Sequence, residues 1–554
     1  MRELRLRLSA YRLLTIELLL ASLFINLLSL ASSIYVIQLF NRYISYGVDA
    51  TLITLTTGVC IALLFEHSFQ RLRLKMAEML GKERNQQLLT STFYNLTHIK
   101  TSALQQLSLY QRQEIMQCPD IIADAYCAAN ITAVLDLPFI LLYLIALFFI
   151  SPILGFVTLF FISAVFIFTQ FNQSHLQKTL LALNELNTNT KNIAQVINQN
   201  IDTIRLFEQN QTTRKLYEQK TSDLQQIKSE LANLQNHSQL INKSGQALLS
   251  ITIYATGAFL AVKGEVDVGM LIGANILAMR TLLPITRFAQ LSEVFTKAEQ
   301  ALERLQRFAL LETERDGGSA LANYSGSLTF KDVAFSYPNA TTPLFESLNL
   351  DIPAGSVVVV TGGNSTGKTT LARLIAGLLE PSRGQILADK LTLQQIAPNW
   401  WHSQLCYLPQ NVHFLPGTIK DNLLNINANL DSAQLNALIT AADFADFIDH
   451  SPDGLDTLIV NNGEQLTFGQ RRRFALARAL ASYGKLVVFD EPTDGLDQNA
   501  CQAIYKLLIA LSREGRTLIV FSQDPKIIQS APLILDLNSK PIPRISQNIP
   551  QDKT

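Results

Sequence analysis

Of the chain's 554 residues 48% are hydrophobic and only 16% charged, with 45 basic residues against 45 acidic ones and a formal net charge of zero. That balance leaves no basic footprint for a nucleic-acid partner, and the length and apolarity call for more than one domain, one of them in a membrane. Cys60, Cys118, Cys127, Cys406 and Cys501 form no CxxC pair and no metal-spaced cluster, so they read as reduced packing residues.

A spanning helix needs about 20 largely apolar residues. Leu14 to Leu39, Thr51 to Phe65, Leu137 to Ile150, Ile153 to Phe171, Leu248 to Val262 and Val268 to Ile285 give six candidates, the third and fourth divided only by Ser151-Pro152. The first is too long for the apolar part of a removable signal peptide and reads as a retained span. Arg2, Arg5, Arg7 and Arg12 precede it, and Arg71, Arg73, Lys75, Lys82 and Arg84 follow the second, which places both flanks in the cytoplasm. Arg42, Asp49, Lys263, Glu265 and Asp267 then sit in short outer turns. Arg280 lies within the sixth span, where a lipid-facing charge is costly; it is expected to face the bundle interior and line a translocation path, near Asp136, the alternative being a shifted span from which Arg280 snorkels to the cytoplasmic headgroups.

Two long polar stretches, His67 to Thr132 and Asn172 to Gly245, fall on the cytoplasmic side and carry helical spacing with little Pro or Gly. They read either as solvated surface helices or as spans continued far below the membrane to reach the next domain. The scarcity of turn signals favours continuation. Gln290 to Glu312 reads as a further helix that Asp316-Gly317-Gly318-Ser319 breaks, setting a transmembrane domain at 1–315 and a second domain at 316–540. Short apolar strands then alternate with helices, the pattern of an α/β nucleotide-binding domain. The prolines after Ser539 mark 541–554 as a disordered tail.

Chemistry is concentrated in the second domain. After the apolar run Val357 to Val360, residues Gly362, Gly363, Asn364, Ser365, Thr366, Gly367, Lys368, Thr369 and Thr370 form a GxxxxGK[ST] loop that opens a helix. Its backbone N–H groups are suited to wrap the phosphates of ATP, Lys368 to neutralise them and Thr369 to ligate Mg²⁺. The strand LVVFD ends in Asp490, whose carboxylate suits the metal's second coordination shell, and Glu491 follows as the residue that orients or deprotonates water. Gln410 is placed to reach metal or water, and Tyr337, in FSYP, to stack on adenine. Thr467, Phe468, Gly469 and Gln470 open a helix whose N-terminus suits the γ-phosphate of an ATP held by another subunit. One chain has one such cassette, so two chains are needed.

These motifs, in this order, resemble those of a type I ABC exporter half-transporter: six spans followed by a P-loop nucleotide-binding domain with Walker A, Q-loop, signature, Walker B and D-loop. The cassette motifs are very specific for ABC proteins and mute about cargo. Ala133-Val134-Leu135-Asp136-Leu137-Pro138-Phe139, the run from Val268 to Leu277 continuing to Arg280 and Pro284, and IYVIQLFNRYI in the first span are similar to type I protein secretion ATPases that export proteases, lipases and adhesins. The resemblance implies a homodimer, or a paired half-transporter, in the inner membrane of a Gram-negative bacterium. It also implies a cytoplasmic nucleotide-binding domain, a periplasmic adaptor, an outer-membrane channel and a secreted, unfolded protein as cargo. It carries the further expectation that the peptidase-like N-terminal domain of many relatives is absent and that no leader peptide is cleaved.

Three departures bear on rate. The usual LSGGQ is Leu466-Thr467-Phe468-Gly469-Gln470, the switch histidine is replaced by Gln523 after Ser522, and the D-loop reads Asp494-Gly495-Leu496-Asp497. Gln523 donates a hydrogen bond but carries no charge, so slow hydrolysis is expected. Two alternatives stay open: export of a small molecule, lipid or peptide, and a weakly hydrolysing regulatory half of an ABC heterodimer.

Overall fold

The computed structural model describes residues 2–547 apart from 207–209, 316, 339 and 341. Its contacts divide the chain into two compact units, Met1–Thr97 with Gln106–Leu311, and His98–Gln105 with Glu312–Thr554.

The first unit is helical. A short α1 (Arg2–Ala10) leads into α2 (Arg12–Gln38) and α3 (Asp49–His98); α4 (Leu109–Ala125), α5 (Ala128–Leu135) and α6 (Ile140–Ile150) are shorter; α7 (Pro152–Gln199), α8 (Asn210–Val262) and α9 (Val268–Ala309) are long. Proline fixes the start of α7: Ser151 is extended and Pro152 takes the first helical turn, where its missing N–H costs nothing. That break separates the third and fourth spans. Among the described residues five helices are long and apolar enough to cross a membrane, and the apolar part of α7, Pro152–Phe168, is shorter by the same measure although the helix runs on to Gln199.

Helix length decides between the two readings of the polar stretches. α3 has 50 residues and α8 has 53, so at 1.5 Å per residue each is about 75–80 Å long, more than twice the hydrocarbon thickness of about 30 Å. The spans therefore continue as unbroken helices. α9 packs against α2, α4, α6 and α8. Its apolar residues enter two clusters, one around Leu18, Leu80, Ile122 and Phe295, the other around Leu147, Ile253, Ala278 and Leu282.

Among the described residues the second unit holds two larger sheets and a two-stranded antiparallel ribbon that pairs Gly417–Thr418 with Leu458–Ile459. An antiparallel sheet has the order β2-β1-β4-β5, from β1 (Leu328–Phe335), β2 (Phe345–Ile352), β4 (Arg383–Ala388) and β5 (Leu391–Thr392). The other has the order β10-β9-β3-β8-β7-β6, built from β3 (Val357–Thr361), β6 (Leu405–Leu408), β7 (Leu486–Asp490), β8 (Thr517–Phe521), β9 (Leu533–Asp536) and β10 (Arg544–Gln547). All its neighbours are parallel except β9 with β10. Every residue of β7 and β8 is buried, as continuous apolar strands covered on both faces require. Helices α10 (Lys368–Ile375), α11 (Phe468–Leu480) and α12 (Gln498–Arg513) flank the strands.

Two features differ from the sequence expectation. Arg544–Gln547 is a strand, paired from Asp536↔Arg544 to Leu533↔Gln547, because an edge partner satisfies backbone groups that proline-rich composition gave no reason to pair. The remaining residues of the expected tail, 548–554, lie outside the described residues. The second difference is the segment His98–Gln105, which belongs to the second unit. Ile99 bridges Thr313 in antiparallel sense, Lys100 N–H donates to Glu312 O at 3.0 Å, and the Lys100 ammonium pairs with Glu312 and Glu380. A piece of the loop after α3 is thus built into the second unit's fold.

Candidate functional site

Parallel strands present their carboxyl ends to one side of the sheet, the side on which α/β folds hold ligands. The glycine-rich loop follows β3, Gln410 follows β6, Asp490 ends β7 with Glu491 next, and Gln523 follows β8. Topology alone brings these residues together. Tyr337, Asn364, Ser365, Thr366, Lys368, Thr369, Thr370, Gln410 and Glu491 line one cleft of about 490 Å³.

The loop's conformation is specific. Ser365 has φ +63° and Gly367 φ +108°, and a Cβ on Gly367 would lie 2.7 Å from Leu344 Cδ2, so this position admits glycine alone. Thr366 Oγ1 donates to Gly363 O at 2.9 Å and Gly363 N–H donates to Asn538 Oδ1 at 2.8 Å. Asn538, just past β9, is a supporting residue that no motif flagged. Lys368 is held back along the loop, donating to Gly362 O at 2.5 Å and pairing with Glu491 Oε1 at 3.0 Å.

Thr369 Oγ1 donates to Gln410 Oε1 at 3.2 Å. Asp490 is fully buried, its carboxylate oxygens make no hydrogen bond of regular geometry among the described residues although the Thr369 hydroxyl lies close, and burial pushes its carboxyl above the usual carboxylate range. A buried anion left unmatched next to a hydroxyl and an amide oxygen is a donor set that fits a hard divalent cation such as Mg²⁺. Gln523 Nε2 donates to Asn364 Oδ1 at 3.4 Å, so the switch-position glutamine reaches the loop. Tyr337 meets Phe335 edge-on at 5.0 Å and shares a 2.9 Å hydroxyl–hydroxyl hydrogen bond with Thr370, leaving its partly exposed ring on the cleft wall.

The LTFGQ segment opens α11 through a reciprocal cap: Thr467 Oγ1 accepts from Gln470 N–H at 3.3 Å and Gln470 Oε1 accepts from Thr467 N–H at 2.9 Å. The hydroxyl's own hydrogen remains free to donate. Phe468 is 58% exposed and covers Gly495, where a Cβ would lie 2.4 Å from Phe468 Cε1. Gly495 also has φ +68°. The two departures from the usual motifs are therefore in contact: with the Phe468 ring in this position, and with φ +68° at 495, glycine is the residue that fits without a shift. Gly495→Ala is expected to lower ATP hydrolysis several-fold, through the clash and a backbone cost of about 1–2 kcal/mol. Adding Phe468→Gly should recover part of the loss in a double-mutant cycle of turnover rates, and strictly additive effects would show that the two residues act apart.

A second constellation lies in the helical unit. Arg73, read from sequence as a cytoplasmic flank residue, is only 8% exposed and pairs with Asp136 Oδ1 at 2.6 Å and with Ser22 Oγ at 3.2 Å. Asn26 Nδ2 donates to Asp136 Oδ1 at 3.5 Å, and the Tyr143 hydroxyl donates to Asn26 Oδ1 at 2.7 Å and contacts Ser29 Oγ at 2.6 Å. Arg280 donates to Ser32 Oγ at 3.0 Å and also meets the Tyr143 hydroxyl. Asp136's direct partner is thus Arg73, and Arg280 joins the same network two residues away. Ser22, Asn26 and Ser29 recur at helical spacing within an apolar helix, a signal the sequence held.

Two family models match the chain: one described as the ABC transporter, over residues 345–494, and one as the ABC transporter transmembrane region, over 15–284. The type I secretion system ATP-binding protein PrsD of Rhizobium meliloti is 26% identical over 94% of this chain and 88% of its own length. The alpha-hemolysin translocation ATP-binding protein HlyB of Escherichia coli is also 26% identical, over 95% of this chain and 74% of its own. The leukotoxin export ATP-binding protein LtxB of Aggregatibacter actinomycetemcomitans is 25% identical over the same shares. Among solved structures, a bacterial Atm1-family ABC exporter with ATP bound superposes with TM-score 0.76 at 20% identity, over 96% of this chain and 94% of that one, a likeness of fold.

Proposed function

Since the chain is an ABC exporter, a multi-pass membrane protein that binds ATP and couples its hydrolysis to export, we propose that it works as the ATPase of a type I secretion system and moves an unfolded protein out of the cytoplasm. The observation that carries this reading is the likeness, over more than nine-tenths of the chain, to secretion and toxin-translocation ATPases. The reading places the chain in an inner membrane with its nucleotide-binding domain in the cytoplasm. It works there as a homodimer, joined to a periplasmic adaptor and an outer-membrane channel.

The chemistry follows from the cleft. Loop amides and Lys368 receive the β- and γ-phosphates of ATP, Tyr337 supplies an apolar wall for adenine, and Thr369, Gln410 and Asp490 would hold Mg²⁺. The cation, when bound, neutralises charge on the transferred phosphoryl group. Arrival of the phosphates competes for Lys368, which releases the Glu491 carboxylate to orient water at the γ-phosphorus. Gln523 steadies the γ-phosphate by a neutral hydrogen bond, so turnover is slow but present. Thr467 and Gly469 address the ATP of the second copy.

Affinity purification of the detergent-solubilised chain from its native membranes, followed by mass spectrometry, tests the reading. An adaptor protein and a secreted protein should come with it. Recovery of a second, different ABC chain would favour the regulatory-half reading that Gln523 motivates, and ATPase activity stimulated by lipid or drug without any adaptor would favour small-molecule export.

A further inference from the structure

Behind the cleft a single arginine joins its two catalytic loops. Arg472 lies on the first turns of α11 and is 3% exposed. One guanidinium nitrogen, Nη1, donates to Pro409 O at 2.9 Å and to Gln410 O at 2.8 Å; the other, Nη2, donates to Asp490 O at 2.5 Å and to Glu491 O. The planar fork thus spans the chain just past β6 and the end of β7, loops that are distant in sequence and carry Gln410 and Glu491.

Burying a guanidinium costs several kcal/mol, which hydrogen bonds offset only when most donors are met. Among the described residues Nε has no partner and all four hydrogen-bond acceptors are backbone carbonyls, so the nearby carboxylates of Asp490, Asp494 and Glu491 favour the charge only at a distance and burial still outweighs them. An apolar side chain of similar length would avoid that cost, so stability alone does not account for an arginine. Geometry does. Glu491 sits at φ +50°, a conformation that a non-glycine residue keeps only when its surroundings over-determine it. Its N–H is held by Phe521 O at 2.8 Å and its carbonyl by Arg472.

We propose that Arg472 is a positioning residue for ATP hydrolysis: by gripping the carbonyls of Gln410 and Glu491 it fixes the water-orienting carboxylate relative to the metal-side amide and ties both to α11. The first turn of α11 carries Thr467 and Gly469, so when that turn docks on a nucleotide held by a second copy, the movement reaches this chain's own Gln410 and Glu491. That last step rests on the homodimer reading; the positioning role does not.

The test uses the purified full-length chain and its steady-state ATP hydrolysis, measured without cargo or adaptor. Arg472→Lys keeps the charge but offers one nitrogen, unable to bridge both loops, and Arg472→Met keeps the packing while removing the charge. Both are expected to lower kcat by about tenfold or more with KM for MgATP within about twofold, and Arg472→Met should melt only slightly lower than the native chain, because the carbonyls lose their shared donor while the cost of the buried charge goes with it. In a Glu491→Gln background Arg472→Lys should add no further loss, because its effect passes through Glu491. Native kcat in Arg472→Met would overturn the proposal, as would kcat, KM and melting temperature worsening together, or losses that multiply in the double variant. Should Arg472→Lys fail to fold, Arg472→Met decides alone.

Discussion

Glu491→Gln is expected to lower ATP hydrolysis by at least about a hundredfold while leaving nucleotide binding intact or slightly tighter. The loss follows from the role of the carboxylate: an amide neither accepts a proton from water nor attracts it as a charge does, and general-base contributions run from about 10² to 10⁴ in rate. The gain in binding follows from the ion pair between Glu491 and Lys368 at 3.0 Å, with both side chains nearly buried. Phosphates must displace that carboxylate to engage Lys368, and a neutral amide competes less. Two nucleotide-binding domains trapped around unhydrolysed ATP should then appear as a stable closed dimer. The check is steady-state turnover beside equilibrium binding of a fluorescent ATP analogue. Lys368→Ala should do the opposite to binding, weakening it while the Glu491 carboxylate remains. Native turnover in Glu491→Gln would remove this residue from the mechanism.

The cassette was legible from sequence because its chemistry depends on short local patterns. A glycine that must adopt positive φ, as at Gly367, and a lysine one residue later announce themselves in any context. The convergence of Gln410, Asp490, Glu491 and Gln523 was legible too, since each follows an apolar strand and parallel strands end on one side. Arg472 was not, for it stands in the run Arg471-Arg472-Arg473, which reads as solvated charge. Helical phase would have separated it, because Arg472, Leu476, Ala479 and Leu480 share the buried side of α11. Long-range matches left still less trace. Nothing local says that the ring of Phe468 needs Gly495, that Asn538 supports Gly363, or that Ile99 pairs with Thr313 across two hundred residues of sequence.

Asp136→Ala is expected to destabilise the helical unit by about 3–5 kcal/mol, because it strands the Arg73 guanidinium among buried groups. The side chains of the pair are 10% and 18% exposed, and the guanidinium's other hydrogen-bond partner among the described residues is the Ser22 hydroxyl, which cannot neutralise the charge. A fall in melting temperature on the order of ten degrees, read by thermal unfolding of the solubilised chain, would register it. Removing both charges separates structure from transport: Arg73→Met with Asp136→Leu should regain most of the stability, since apolar pairs replace buried ion pairs at little cost. Export should nevertheless stay low. The network continues through Asn26 and Tyr143 to Arg280, which is half-buried, tied to Ser32, and proposed to line the path taken by cargo. Arg280→Ala should accordingly cut export with little change in melting temperature or basal hydrolysis, a pattern opposite to that of Asp136→Ala. If the double apolar variant exports normally, the Arg73–Asp136 pair is a fastening of the bundle alone, and if Asp136→Ala melts like the native chain, the pair is not desolvated in the membrane.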